Sequence, residues 1–267
     1  SLTEAGKISD TKYRVKQLSF TKRGRDAVVY KMHGDIDNPD EAVITKDDYE
    51  NYHVKMQPFI NALSGDLVSK TFLFLGFSFT DPNLDYILSR VRISYSNDQR
   101  QHYCIQKLVA PTTDASQADT EYKIRKQELF IQDLLRFGIK TILVSDYSEI
   151  TDILHQLEWA YRRKTIFLSG SAHEYGRWKS DEAQYFIYSL SKEIAALGFR
   201  IVSGFGLGVG SSVITGVLEN VYMSGKRLDS EQLILRPFPQ YEVGKRPISE
   251  IWNDYRTDMI SYAGIAI

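Results

Sequence analysis

A single cysteine, Cys104, stands among 267 residues. That excludes a disulfide framework and a four-thiolate zinc site, and it suits a reducing compartment. Excess charge is also lacking, since 33 Lys and Arg against 34 Asp and Glu leave −1. Such a balance gives no electrostatic footprint for nucleic acid or an anionic membrane. Long apolar runs are missing as well. The longest, residues 72–79, is interrupted by Gly76 and Ser78 and falls far short of the ~20 residues a transmembrane helix needs. No signal peptide is expected, and the cytoplasm is the expected location. What is present, 43% hydrophobic and 25% charged residues, is a globular composition with chain enough for two ordinary domains.

Strand and helix patterns alternate along the chain, which predicts an α/β protein of doubly wound, Rossmann-like parallel sheets. Residues 1–26 are polar and carry little signal. Residues 27–32 are β-branched and aromatic and read as a strand. Residues 47–63 read as one helix, with a break or kink at Pro58. A buried strand over 71–75 breaks at Gly76, and Asp81-Pro82 opens a helix to about residue 95. Strands follow at 102–109 and 139–144, with a helix between them that ends at Gly138. Small polar residues over 111–120 suggest a loop or a mobile lid. A Ser148-capped helix runs to the basic triplet Arg162-Arg163-Lys164, which reads as a solvated helix end and marks the expected boundary. Two domains are therefore expected, 1–160 and 161–267.

The second domain starts with a strand at 165–168 and the small-residue turn Ser169-Gly170-Ser171. A Ser180-capped helix follows, with Ala183, Phe186, Ile187, Leu190, Ile194 and Leu197 as its inward stripe. After a strand at 199–202 come Gly204, Gly206, Gly208 and Gly210, alternating with Phe205, Leu207 and Val209, and then a helix. Backbone N–H groups exposed by such a loop at a helix start can seat a phosphate, although tight turns use glycine too. The last helix, over 249–262, carries Arg256.

Two segments suggest chemistry in the first domain. His33, followed by Gly34, lies at the carboxyl end of a strand, the edge where open α/β sheets bind ligands. A histidine there can take a proton from a hydroxyl near neutral pH. On spacing alone, a polar loop histidine without chemistry is the commoner reading. The run Leu75-Gly76-Phe77-Ser78-Phe79-Thr80-Asp81-Pro82-Asn83-Leu84 is the more specific signal, because Gly76 permits close approach of a ligand or another backbone.

Lys31-x-His33-Gly34-Asp35, then Pro39 and Ile44-Thr45-x-x-Asp48-Tyr49, resembles the catalytic-histidine segment of the sirtuin-like superfamily, in the bacterial branch found in antiphage defence. The 75–84 run resembles the loop that touches the ribose end of NAD in that superfamily. The resemblance implies that His33 is the catalytic base and that Gly76, Phe77, Ser78 and Asp81 bind NAD. NAD would be a substrate and not a cofactor, and no zinc is expected. The second domain resembles the SLOG sensor relatives of the lonely-guy nucleotide phosphoribohydrolases, through the Ser-Gly-Ser turn, the glycine loop and Arg256-x-x-Met259-Ile260. It implies an effector site at Gly170, Ser171, Gly204, Gly206, Leu207, Gly208, Gly210 and Arg256.

A sirtuin-like domain followed by an SLOG domain is the architecture of Thoeris-type antiphage effectors. The resemblance implies an NAD glycohydrolase switched on by a cyclic ADP-ribose-type signal. It further implies a homo-oligomer, usually a tetramer, and a TIR-domain enzyme that makes the signal. Residues 1–26 hold nothing like the superfamily's Gly-Ala-Gly dinucleotide loop, and the glutamate motif of the phosphoribohydrolases is also missing. Both domains are therefore expected to be incomplete here. Rival expectations are a catalytically inactive nucleotide-sensing oligomerisation module and a lonely-guy-type nucleotide phosphoribohydrolase.

Overall fold

The first strand of the computed structural model, β1 (Ser9–Lys12), lies in a stretch where the sequence gives no sign of one. Its polarity hides it. Asp10 and Lys12 are both buried and neutralise each other at 2.8 Å. The Lys12 ammonium also donates to the Phe20 carbonyl at 2.6 Å. A charged pair satisfied in this way can occupy positions usually held by apolar side chains. The structure describes residues 1–267 except 1, 3, 40–41, 96–97, 112–115, 243 and 245. The expected lid over 111–120 thus falls in part on 112–115, outside the described residues.

The chain divides into two compact units, Ser1–Ile150 and Thr151–Ile267. In the first, β1 pairs in parallel with β2 (Ala27–Tyr30), from Ser9 opposite Ala27 to Lys12 opposite Tyr30. A separate parallel sheet has the order β3 (Leu73–Phe74), β4 (His102–Lys107), β5 (Ile139–Val144). The helix expected over 47–63 is three pieces: α1 (Lys46–Glu50), α2 (Tyr52–Lys55) and α3 (Gln57–Ser69). The breaks fall at Asn51 and Met56, whereas Pro58 sits in the first turn of α3, where its missing N–H costs nothing. The strand expected over 71–75 has only two ladder residues, and both are half-buried and not enclosed. Helices α4 (Pro82–Tyr95) and α5 (Gln117–Arg136) complete the unit. Tyr52, Ile60, Leu67, Ile87, Cys104 and Ile139 form the centre of its core.

The second unit begins within α6 (Glu149–Arg162). Its strands β6 (Thr165–Phe167), β7 (Arg200–Ser203), β8 (Leu233–Leu235) and β9 (Ile265–Ala266) are all parallel, in the order β8-β7-β6-β9. The order runs outward from β6 in both directions, so the crevice at the carboxyl ends of β6 and β9 is a topological switch point. Successive residues alternate between the two faces. Ile166 and Ile201 pack with α8 (Gly210–Met223). Phe167 and Val202 pack on the other face with Met259 of α9 (Ile248–Tyr262). The stripe expected on α7 (Ser180–Ala196) is narrower than its periodicity suggests, because Phe186 is 50% and Leu197 74% exposed. Among the described residues no helix is long and apolar enough to cross a membrane.

Candidate functional sites

His33 is carried on a turn that its neighbours fix from both sides. The Gly34 N–H donates to the Lys31 carbonyl at 3.1 Å, and the Val43 N–H donates to the His33 carbonyl at 3.0 Å. Gly34 has φ +102°, and a Cβ there would lie 2.7 Å from the Ala42 Cα. Only glycine lets the returning chain come that close. Across the turn the Lys31 ammonium clamps the buried Asp35 carboxylate. That bond holds the Asp35 acid below its ordinary range and lifts Lys31 above its own. Both charged residues of the Lys-x-His-Gly-Asp motif therefore shape the turn, and the histidine is left to face outward.

The imidazole Nε2 lies 3.2 Å from Asp81 Oδ2. Its ring meets the edges of Tyr49 and Tyr52 at centroid distances of 5.4 and 5.6 Å. The Tyr52 hydroxyl donates to the Met32 carbonyl at 3.1 Å, and burial pushes its pKa well above the ordinary phenol value. Tyr52 is therefore a neutral wall at physiological pH, not a proton carrier. Asp81 is itself fixed: its Oδ1 accepts the Asn83 N–H at 2.9 Å, and its carbonyl accepts from Asp85 at the start of α4 at 3.1 Å. A carboxylate held on one imidazole nitrogen orients the ring. The other ring nitrogen can then exchange a proton with a hydroxyl or a water.

The pair opens into a cavity of about 400 Å³ whose walls include Met32, Tyr52, Phe74 and Phe77. That volume is within the range of small-molecule sites. Two other hollows of this unit, of about 470 and 500 Å³, contain no histidine. Of the four residues expected with His33, the cavity is lined by Phe77 and Asp81. Gly76 bends the loop at φ +62°, and the Ser78 hydroxyl bonds Thr80 at 2.7 Å; neither lines the cavity. Tyr52 and Asn83 line it too, and sequence reasoning misses both. Tyr52 follows the Asp48-Tyr49 motif at helical spacing, and Asn83 directly follows Asp81-Pro82, so position is the only available signal. Among the described residues no group of three or more His, Cys, Asp and Glu could hold a metal ion.

In the second unit the structure brings the loops after β6 and β7 into direct contact. The Ala172 N–H donates to the Leu207 carbonyl at 2.9 Å, and the Tyr175 hydroxyl donates to the Gly208 carbonyl. A Cβ on Gly206 would overlap the Gly170 carbonyl. Gly170, Ser171, Gly206, Leu207 and Gly208 thus share one place, and close packing between the loops accounts for the glycine at 206. Ser211 and Ser212 lie in the first turn of α8, the part of a helix whose N–H groups have no partner within the helix. Arg256 lies over the Phe238 ring, with its Cζ 5.4 Å from the centroid. A Cβ on Gly204 would strike the same ring, which links the arginine to the loop through one side chain. The acids on its own helix are engaged elsewhere. Asp258 pairs with Arg236 at 3.2 Å, and Asp254 with Arg246 at 2.7 Å.

The SIR2-like domain family matches residues 2–129, and the Sir2- and TIR-associating SLOG family matches residues 149–267. Over all 267 residues the chain is 60% identical to the NAD(+) hydrolase ThsA of Bacillus cereus (strain MSX-D12), covering 55% of that protein. It is 46% identical to the NAD(+) hydrolase ThsA of Acinetobacter baumannii (strain 532279), again covering 55%. For the NAD(+) hydrolase ThsA of Enterococcus faecium the identity is 42%, with all of this chain and 56% of that protein covered. The chain thus spans about half the length of the curated relatives it matches.

Proposed function

We propose that this chain, which belongs to the family of the NAD(+) hydrolases ThsA, carries the catalytic histidine and the nucleotide sensor of an antiphage NAD glycohydrolase. The observation that carries the reading is His33 Nε2 at 3.2 Å from Asp81 Oδ2, beside a cavity lined mainly by apolar side chains. In the reaction the bond between ribose and nicotinamide breaks, and its electron pair leaves with the neutral pyridine. Water then adds to the oxocarbenium-like carbon, and its proton passes to His33. Asp81 steadies the imidazolium that forms, and Tyr49 and Tyr52 keep the ring in place. A general base of this kind contributes typically 10²–10⁴-fold.

The second unit is the sensor in this reading. Gly170, Ser171 and the 204–210 loop lie at one sheet edge, with the α8 N-terminus and Arg256 close by, an arrangement suited to the phosphates of a cyclic ADP-ribose-type signal. A TIR-domain enzyme would supply that signal, and the working protein would be a homotetramer in the bacterial cytoplasm. The test is to incubate the full-length protein with NAD, with and without cyclic ADP-ribose isomers, and measure released nicotinamide. Signal-dependent release is expected; none under any isomer would refute the reading.

A further inference from the structure

Among the described residues three buried side-chain polar atoms have no hydrogen-bond partner: Asn83 Nδ2, Gln99 Oε1 and Arg200 Nε. Two of these belong to side chains anchored through another atom. Gln99 Nε2 donates to the Arg136 carbonyl at 3.1 Å, and Arg200 Nη2 donates to the Tyr161 hydroxyl at 3.2 Å. Asn83 differs on both counts. Its only described hydrogen bond is made by its backbone, and it alone of the three lines one of the described cavities, the one that holds His33 and Asp81.

A shielded donor left without an acceptor destabilises a fold, so such groups call for an explanation. The start of α4 does not supply one. An asparagine at a helix start usually serves as its cap, yet here that task falls to Asp81, whose Oδ1 accepts the Asn83 N–H. The Asn83 side chain is thereby released. Its terminal torsion is soft, so a small rotation turns the amide into the cavity that the residue already lines.

We infer that Asn83 is a substrate-positioning residue, its side-chain amide donating to an oxygen on the nicotinamide-riboside half of a dinucleotide bound beside His33. The inference rests on the reading of the cavity as the NAD site. One residue then serves the site twice. Its backbone holds the carboxylate that steadies His33, and its side chain holds the substrate against them. Sites that lose such a partner discriminate strongly, because the buried group is left unpaired.

The division of labour makes a clean test, since substitution of the side chain leaves the backbone bond to Asp81 in place. In the full-length protein, Asn83→Ala and Asn83→Leu are compared with wild type for nicotinamide release across NAD concentrations and for melting temperature with and without NAD. The expected result is a fall of about tenfold or more in kcat/KM. The unliganded melting temperature should be unchanged or higher, and the upward shift given by NAD smaller. Asn83→Asp, which keeps the shape and removes the donor, should lose as much as Asn83→Ala. Unchanged kcat/KM in all three variants would overturn the assignment, and so would a loss matched by a lower melting temperature of the unliganded protein. A wild-type protein that releases no nicotinamide would instead overturn the reading of the cavity, and this assignment with it.

Discussion

The two units contain the same device, a strand that runs through a glycine into a helix, and they use it for opposite ends. In the first, the 76–83 segment carries two phenylalanines, and its Asp81 turns toward a histidine. In the second, the 204–210 segment is glycine-rich, and its glycines let one loop lie against another. Each segment also holds a phenylalanine in the left-handed region, Phe79 at φ +58° and Phe205 at φ +53°. For a bulky residue that conformation costs roughly 1–2 kcal/mol. Phe79 recovers the cost by packing against Phe74, Phe77 and Phe130 at centroid distances of 5.0, 5.1 and 6.0 Å, since each such pair contributes about 0.5–1.5 kcal/mol. Phe205 has no aromatic neighbour within the described ring pairs and is 47% exposed. The same backbone strain is thus offset by core packing in one unit and left standing at a loop surface in the other.

Glycine substitution at both positions separates strain from packing. Phe79→Gly relieves the backbone but removes the ring from its cluster, so the protein should be roughly 2–3 kcal/mol less stable in denaturant unfolding. Phe205→Gly should leave it unchanged or up to about 1 kcal/mol more stable. Equal losses at both positions would erase the contrast. On the sensor side, Arg256→Ala removes a cation whose alternative partners are already paired, so its loss should appear in ligand affinity. Signal binding measured by calorimetry on the full-length protein should weaken by ~1.5–3 kcal/mol, roughly ten- to a hundredfold. Unchanged affinity would take Arg256 out of the site.

The smallest effect expected is one of pH. His102 is buried at the start of β4, and its Nδ1 accepts the Phe72 N–H at 3.2 Å, which fixes the strand leading to the 76–83 segment. Burial lowers its proton affinity, with Arg100 adding to the effect. The unfolded chain therefore binds this proton more readily than the folded one. Stability from this group is full above the ordinary value of 6.5 and is lost as the pH falls below it. The melting temperature should drop on acidification through that range, and His102→Gln should flatten the drop. A wild-type profile that does not fall there would contradict the role given to the Phe72–His102 bond.

Much of the fold and part of the site are legible in the amino-acid sequence alone. The alternation of strands and helices follows from hydrophobic periodicity, and the turn at His33 follows from Gly34, since no other residue fits against Ala42. Asp81 is expected at the site of His33 only through the family resemblance of its loop, since Asp-Pro by itself marks no more than a helix start. What cannot be read has identifiable causes. β1 is hidden because Asp10 and Lys12 are buried as a pair, and a pattern of apolar residues cannot report a satisfied charge. The break of α1 from α2 and α3 turns on Asn51 and Met56, residues that continue helices elsewhere. Phe186 has the right spacing for the core of α7, yet spacing sets direction and not depth. Asn83 escapes notice because an idle amide is a property of its surroundings, which a linear sequence does not record.

Cleavage of the nicotinamide–ribose bond in the cavity beside His33 and Asp81 is the activity we propose. The most direct measurement is nicotinamide release by the full-length His33→Ala variant beside wild type, with equal signal binding verified in both. Loss of at least about 10²-fold in turnover, with signal binding and melting temperature retained, is the expected result. Near-wild-type release by the alanine variant would contradict the account, because the proton would then have to pass through a group other than His33.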